Sequence, residues 1–360
     1  MTESKITNIQ PSTGEPAHSR GHGKLTISDI AKMAGVSKKT VSRVINHSGL
    51  VKQVTREKIL RIVKEMDYQP DPQARALALR RSHLIALITN QPNPQYIIDI
   101  QRGILDAMAS TSYQLVIRPC DRNSPTMHNE ISDIVKHQRF FGVILTPSIS
   151  EDDELIQRLN QIGCPYVRIA AVSLDLPENM IETHDYAGAA EAARHIATLG
   201  HVRIAHIQGP SSFLSASERL RGFRVGLSEF NLKLEGQYLK RGGYTFESGL
   251  QCGEELLQLS EPPTAVFAGN DEMAAGVYQA ARRAGLRIPD DLSIVGFDDS
   301  AITTRIWPTL TSVRLPISHM GKIAAQLLVS RYDPMVMEPP LATSVMPSLV
   351  VRDSTAELKR

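Results

Sequence analysis

The stretch Leu25-Thr26-Ile27-Ser28-Asp29-Ile30-Ala31-Lys32-Met33-Ala34-Gly35-Val36-Ser37-Lys38-Lys39-Thr40-Val41-Ser42-Arg43-Val44-Ile45-Asn46 packs two helix starts and one helix stop into a short span. Thr26 with Asp29 three residues on is a capping-box pattern, and Ile27, Ile30, Ala31 and Ala34 then share one helical face. Gly35 ends that helix, because glycine takes left-handed backbone at no steric cost. Ser37 offers a second cap. In the helix it opens, Val41, Val44 and Ile45 can face inward, while Ser37, Lys38, Lys39, Thr40, Ser42 and Arg43 form an outer face of donors. The tight turn Ala34-Gly35-Val36-Ser37 suits a helix-turn-helix, and such donors suit phosphates and major-groove base edges. A small helical hairpin with basic residues also occurs as a merely solvated face, so the neighbouring segments must decide.

Downstream, Thr55 caps a third helix over residues 56–67, with Ile59, Ile62, Val63 and Met66 at helical spacing. Asp71 and Pro72 then open a run of strong helix formers over residues 73–81, too short to be stable alone. It reads either as an ordinary amphipathic linker or as a helix that orders against its copy and DNA, with Leu77 as a minor-groove wedge. Upstream, residues 1–23 lack apolar periodicity and read as a flexible tail.

Charge sharpens the division. The chain has 360 residues and a net charge of +2, yet residues 24–81 hold 13 basic against 5 acidic side chains. A basic head on an acidic body reads either as a head with a polyanion partner or as a solvated charged face, and charge alone does not choose between them. There is no apolar run long enough for a membrane span and no signal-peptide core, so the protein is expected in the cytoplasm. Three separated cysteines, Cys120, Cys164 and Cys252, offer neither a disulfide framework nor a metal site.

Taken in order, the stretch from Leu25 to Asn46, then Thr55-Arg56-Glu57-Lys58-Ile59, Tyr68-Gln69-Pro70 and Ala76-Leu77-Ala78, resembles the LacI/GalR (lactose repressor) family of bacterial transcription regulators. The resemblance runs over about residues 24–355. It implies DNA contacts at Thr26, Ser37, Lys38, Lys39, Thr40, Ser42, Arg43, Asn46 and His47, with Lys38 and Lys39 at the positions that vary with operator, and Leu77 as the minor-groove lever. It further implies double-stranded operator DNA and a second copy of the chain as partners.

The body has its own pattern. Short apolar runs at residues 82–89, 113–119, 142–146 and 166–171 alternate with helical segments at 127–137 and 151–163, spelling a parallel β/α sheet. The pattern restarts: a helix from His184 to Leu199, strands at 204–208, 265–268 and 293–297, helices at 218–230 and 272–284. Two α/β units follow, and a ligand is expected in the cleft at their strand ends. Arg219, Asn270 and Asp298 lie just past strands and could bracket vicinal hydroxyls, with Tyr244 adding an aromatic face. Each could equally be a cap or turn residue. The resemblance implies an effector site at Arg219, Tyr244, Asn270 and Asp298, and more weakly at Tyr96 and Thr146, for a small sugar or related metabolite. One departure is Ala170-Ala171, with Arg168 earlier, where relatives carry Asp or Arg.

The expected architecture is therefore multidomain: an all-α helix-turn-helix head at 24–69, a hinge helix at 70–82, and a bilobal periplasmic-binding-protein-like core at 83–355. Its N-subdomain covers about 83–183 plus 314–335 and its C-subdomain about 184–313 plus 336–355. No nucleotide-binding or zincin motif is present, and no catalytic residue, metal or cofactor is expected. The competing reading is a sugar-handling enzyme or sugar-binding protein with an incidental basic head.

Overall fold

The computed structural model describes residues 25–45, 51–66, 68 and 82–358. The expected tail, nearly all of the hinge helix, Asn46, His47 and Leu77 lie outside the described residues. The chain forms two compact units, Met1–Ala74 and Arg75–Arg360.

In the first unit, α1 (Ile27–Ala34) starts as its sequence requires. The Asp29 carboxylate accepts from the Thr26 N–H at 3.0 Å and from its hydroxyl at 2.7 Å. Gly35 stops it at φ 68°, and the Val36 N–H returns to the Ala31 carbonyl. Ser37 Oγ accepts from the Thr40 N–H at 3.1 Å, capping α2 (Lys38–Ile45). The third helix, α3 (Gln53–Glu65), begins before the expected cap at Thr55. The Lys52 carbonyl already accepts from the Arg56 N–H, which places Thr55 inside the first turn. Ile30, Val41, Val44 and Ile59 close a small core, whereas Met66 is left exposed past the helix end.

The second unit contains two sheets. The first comprises β1 (Leu84–Thr89), β2 (Gln114–Pro119), β3 (Gly142–Leu145), β4 (Tyr166–Ala170) and β5 (Met180–Glu182), in the order β2-β1-β3-β4-β5 and all parallel. Helices α4 (Pro94–Met108), α5 (Met127–Gln138) and α6 (Asp153–Gln161) connect the strands. The run through β1 is apolar throughout because both faces are covered: Ile85 and Leu87 enter one cluster, Ala86 and Ile88 another.

Helix α7 (Asp185–Thr198) leads into the second sheet: β6 (Ile204–Gln208), β7 (Leu239–Arg241), β8 (Ala265–Ala268), β9 (Ser293–Asp298), β10 (Thr311–Arg314) and β11 (Ser348–Val350). Their order is β11-β10-β9-β8-β6-β7, with only β11 antiparallel to its neighbour. The helices here are α8 (Leu214–Ser228), α9 (Phe246–Leu257) and α10 (Asp271–Arg283). After β10 the chain crosses to the first sheet as α11 (Ile317–Ser330), which packs on α4, β3, β4 and β5, then returns to supply β11. Both lobes are thus discontinuous in sequence. Strands β5, β7 and β11 span three residues each, too few to show a period.

Candidate DNA-binding face and ligand cleft

The first unit divides α2 between core and solvent. Val41, Val44 and Ile45 are buried, Ser37, Lys38 and Lys39 are exposed, and Thr40, Ser42 and Arg43 are half-buried. Three donors thus stand free of the core at the helix start, where the backbone N–H groups also favour an anion. Thr26 is exposed, but its hydroxyl is committed to Asp29, and the Ser37 and Thr40 hydroxyls bond each other at 2.9 Å.

In the second unit a cleft with about 420 Å³ of empty space, part of it open to solvent, lies between the lobes. Tyr96, Arg219, Tyr244, Asn270 and Asp298 all line it, together with Gln91, Asn93, Pro147, Thr183, Asp185, Phe213, Ser215, Leu315 and Met320. These come from loops at strand carboxyl ends, as parallel sheets dictate, and from the first turns of the following helices. Arg219, in the second turn of α8, is the centre. Its Nε donates to Asp185 Oδ1 at 2.7 Å, one Nη to the Gly269 carbonyl, and the other to Asp298 Oδ1 at 3.5 Å. The guanidinium lies 3.7 Å over the Phe297 ring. Asp185 is held in turn by the Thr183 hydroxyl.

Burial opposes the charge on Arg219, but the Asp185 and Asp298 carboxyls beside it more than offset that cost and raise its pKa. Burial drives the Asp298 carboxyl upward against the pull of Arg219, with Asp185 and Asp99 adding to the rise. Beneath it, Asp271 is likewise raised by burial and by Asp298, while accepting from the Ser300 N–H and the Ser312 hydroxyl, each at 2.6 Å. Tyr244 at φ 61° and Asp298 at φ 103° occupy left-handed backbone unusual for side-chain-bearing residues, strain of the kind concentrated at binding sites. Among the described residues, the buried hydroxyl of Tyr96 finds no hydrogen-bond partner, while that of Tyr244 lies beside the Ser215 hydroxyl. An orphaned hydroxyl on a residue that lines a cavity marks a site built to receive a polar ligand.

One expected residue lies off the cavity, and another has a second role. Thr146 does not line the cavity: it is fully buried and its hydroxyl donates to Thr89 Oγ1 at 2.9 Å. Asn270 lines it, but its Oδ1 caps α10 through the Met273 N–H and its Nδ2 donates to the Tyr244 carbonyl, both at 3.0 Å. Capping uses one lone pair of the amide oxygen and leaves a second lone pair and a second N–H. Arg168, near the Ala170-Ala171 departure, is spent on Asp153 and on the Ser150 and Leu174 carbonyls.

The model of "Bacterial regulatory proteins, lacI family" matches residues 26–71, and that of a "Periplasmic binding protein-like domain" matches 193–355. The "Probable HTH-type transcriptional repressor ExuR" of Bacillus subtilis (strain 168) is 35% identical over 93% of this chain and 99% of its own length. The chain belongs to the LacI family of bacterial regulatory proteins. Among solved structures, a transcriptional regulator CelR–cellobiose complex aligns at 30% identity with a TM-score of 0.68, covering 92% of this chain and 99% of that one. A lac repressor dimer bound to operator and the anti-inducer ONPF aligns at 28% identity with the same TM-score and coverage.

As a LacI-family member the chain is a DNA-binding transcriptional regulator with a sensing core, and its relatives are regulators rather than enzymes. Among the described residues no helix is long and apolar enough to cross a membrane, and no cluster could hold a metal. Sequence reasoning missed Asp185, Thr183, Phe213 and Ser215. Asp185 is the first residue of α7, where an acidic side chain reads as a complement to the helix dipole. Its second role exists only once α7 packs on α8.

Proposed function

We propose that this protein is a cytoplasmic, dimeric repressor. It grips double-stranded operator DNA through Ser37, Lys38, Lys39, Thr40, Ser42 and Arg43, and closes its core on an uncharged sugar or related polyol that sets operator affinity. The observation that carries the ligand class is the neutralised cation. Arg219 is the one basic side chain lining the cavity among the described residues, and two carboxylates, Asp185 and Asp298, already face it.

A carboxylate or phosphate ligand would have to displace one of them, leaving a buried charge unpaired. Hydroxyls instead donate to Asp298 and meet the Tyr96 and Tyr244 hydroxyls, which both donate and accept. The Phe213 and Tyr244 rings, 5.4 Å apart and nearly perpendicular, offer an apolar corner for the C–H face of a sugar. A cellobiose complex and an operator-bound dimer among the relatives support the same classes of partner. No catalytic role is assigned to Asp298-Asp299, because Asp299 turns away to Arg314 and Arg352 at 2.7 and 2.6 Å.

A thermal-shift screen tests the ligand. Uncharged mono- and disaccharides should include members that raise Tm, uronates and sugar phosphates should not, and Asp298→Ala should abolish the response. Saturation a hundredfold above Kd adds about 2.7 kcal/mol of stability. A response confined to acidic sugars would overturn the assignment. For the head, full-length protein is expected to retard fragments from a genomic promoter library, with Arg43→Ala weakening binding and reducing the log–log salt slope by about one. Unchanged retardation by Arg43→Ala would remove that residue from the interface.

A further inference from the structure

Helix α8, which carries Arg219, starts on an apolar residue. Phe213 occupies its N-cap position and supplies no side-chain cap. The first N–H of the helix, at Leu214, is taken instead by Glu151 Oε2 at 3.0 Å. Glu151 closes the short turn Ile149–Glu151 that follows β3, in the opposite lobe. Beside it Arg122, in the loop after β2 of that same lobe, donates from Nη1 to the Ser212 carbonyl at 2.7 Å. Each charged group meets the backbone group of matching polarity: the carboxylate takes an N–H and the guanidinium a carbonyl. A helix N-terminus also carries partial positive charge, which favours the carboxylate there. The segment so gripped delivers Phe213 and Ser215 to the cavity.

We propose that Glu151 and Arg122 are positioning residues for ligand binding, forming a cross-lobe strap that caps α8 from the opposite lobe and holds residues 211–214 over the cavity when the lobes are closed. Their role in ligand binding rests on the reading of the cleft as the ligand site; the strap itself does not. Opening the cleft strips the Leu214 N–H of its acceptor, and Phe213 has no side-chain oxygen to replace it.

The strap has a proton dependence. Glu151 Oε1 is buried without a partner among the described residues, and burial pushes the carboxyl up to about 7. The groups facing it are Arg122 and Arg168, which oppose the rise, Asp185, which adds to it, and Tyr96, which burial keeps protonated. Freed by opening, the carboxyl returns toward its ordinary value near 4.5. Closing therefore takes up a proton between those two values, and falling pH favours the closed form. From pH 8 to pH 6 the closing constant should rise about tenfold. The protonated carboxyl keeps one oxygen to accept from Leu214.

Hydrogen exchange on the full-length protein tests this without any ligand, so its outcome is separate from that of the sugar screen. In peptides spanning residues 211–216, Glu151→Ala should lower protection by about tenfold or more, and Arg122→Ala by less, with α5 peptides unchanged. After correction for intrinsic rates, wild-type protection should be about tenfold higher at pH 6 than at pH 8. Glu151→Gln, which keeps the acceptor but cannot ionise, should stay protected at both. Wild-type exchange in Glu151→Ala, or a wild-type pH response in Glu151→Gln, would overturn the strap.

Discussion

Arg219→Met is expected to abolish every ligand-induced rise in Tm and to cost the core about 3–5 kcal/mol, the usual penalty when one partner of a buried ion cluster is removed. Methionine keeps much of the volume stacked on Phe297, so the loss isolates charge from packing. What remains are Asp185 and Asp298, 1% and 7% exposed, facing each other with no cation between them. The triple variant Arg219→Met, Asp185→Asn, Asp298→Asn should recover most of the stability and none of the ligand response, because a neutral cluster carries no unpaired charge. Urea unfolding midpoints at constant m measure the first quantity and thermal shift the second. A loss under about 1 kcal/mol for Arg219→Met would mean that water reaches the two carboxylates and that the cluster is not buried in solution.

The head was legible in the sequence because its signals are local. Thr26 with Asp29, Gly35 and Ser37 each act within one turn, and the structure has each of them in its expected place. Thr55 misled because Lys52 caps α3 with a backbone carbonyl that no side chain advertises. In the core, strands covered on both faces showed as apolar runs, and polar residues past their ends marked the cleft. Thr146 satisfied that same rule and failed it, since its hydroxyl turns inward to Thr89. Position relative to a strand end names a candidate; the direction of the side chain depends on the neighbouring strand. Asp185 and Glu151 were out of reach for a related reason. Their partners lie 34 residues away or more in the case of Arg219 and Leu214, and only the docking of α7 on α8 and of lobe on lobe creates those pairs.

That docking depends on a missing side chain, and restoring one should be costly. A Cβ added at Gly222 would lie 2.0 Å from the Tyr186 carbonyl oxygen and 2.8 Å from its carbonyl carbon. Both atoms belong to the backbone of α7, so no rotamer change relieves the clash, and the two helices must part. Tyr186 follows Asp185 directly, and Gly222 lies three residues past Arg219 on α8. Parting the helices by about 1 Å at that contact therefore stretches the 2.7 Å bond between Arg219 and Asp185 beyond hydrogen-bond range. Gly222→Ala is expected to cost about 3 kcal/mol, at the upper end for overpacking, and to weaken ligand binding at least about tenfold through the misplaced guanidinium. Gly236→Ala is the control. No atom lies within 4 Å of its added Cβ, so it should be neutral or stabilising by about 0.4–1 kcal/mol through the unfolded chain. If Gly222→Ala lost stability but kept full ligand affinity, Asp185 would be anchored by Thr183 rather than by the helix pair, and the approach of α7 to α8 would serve packing alone.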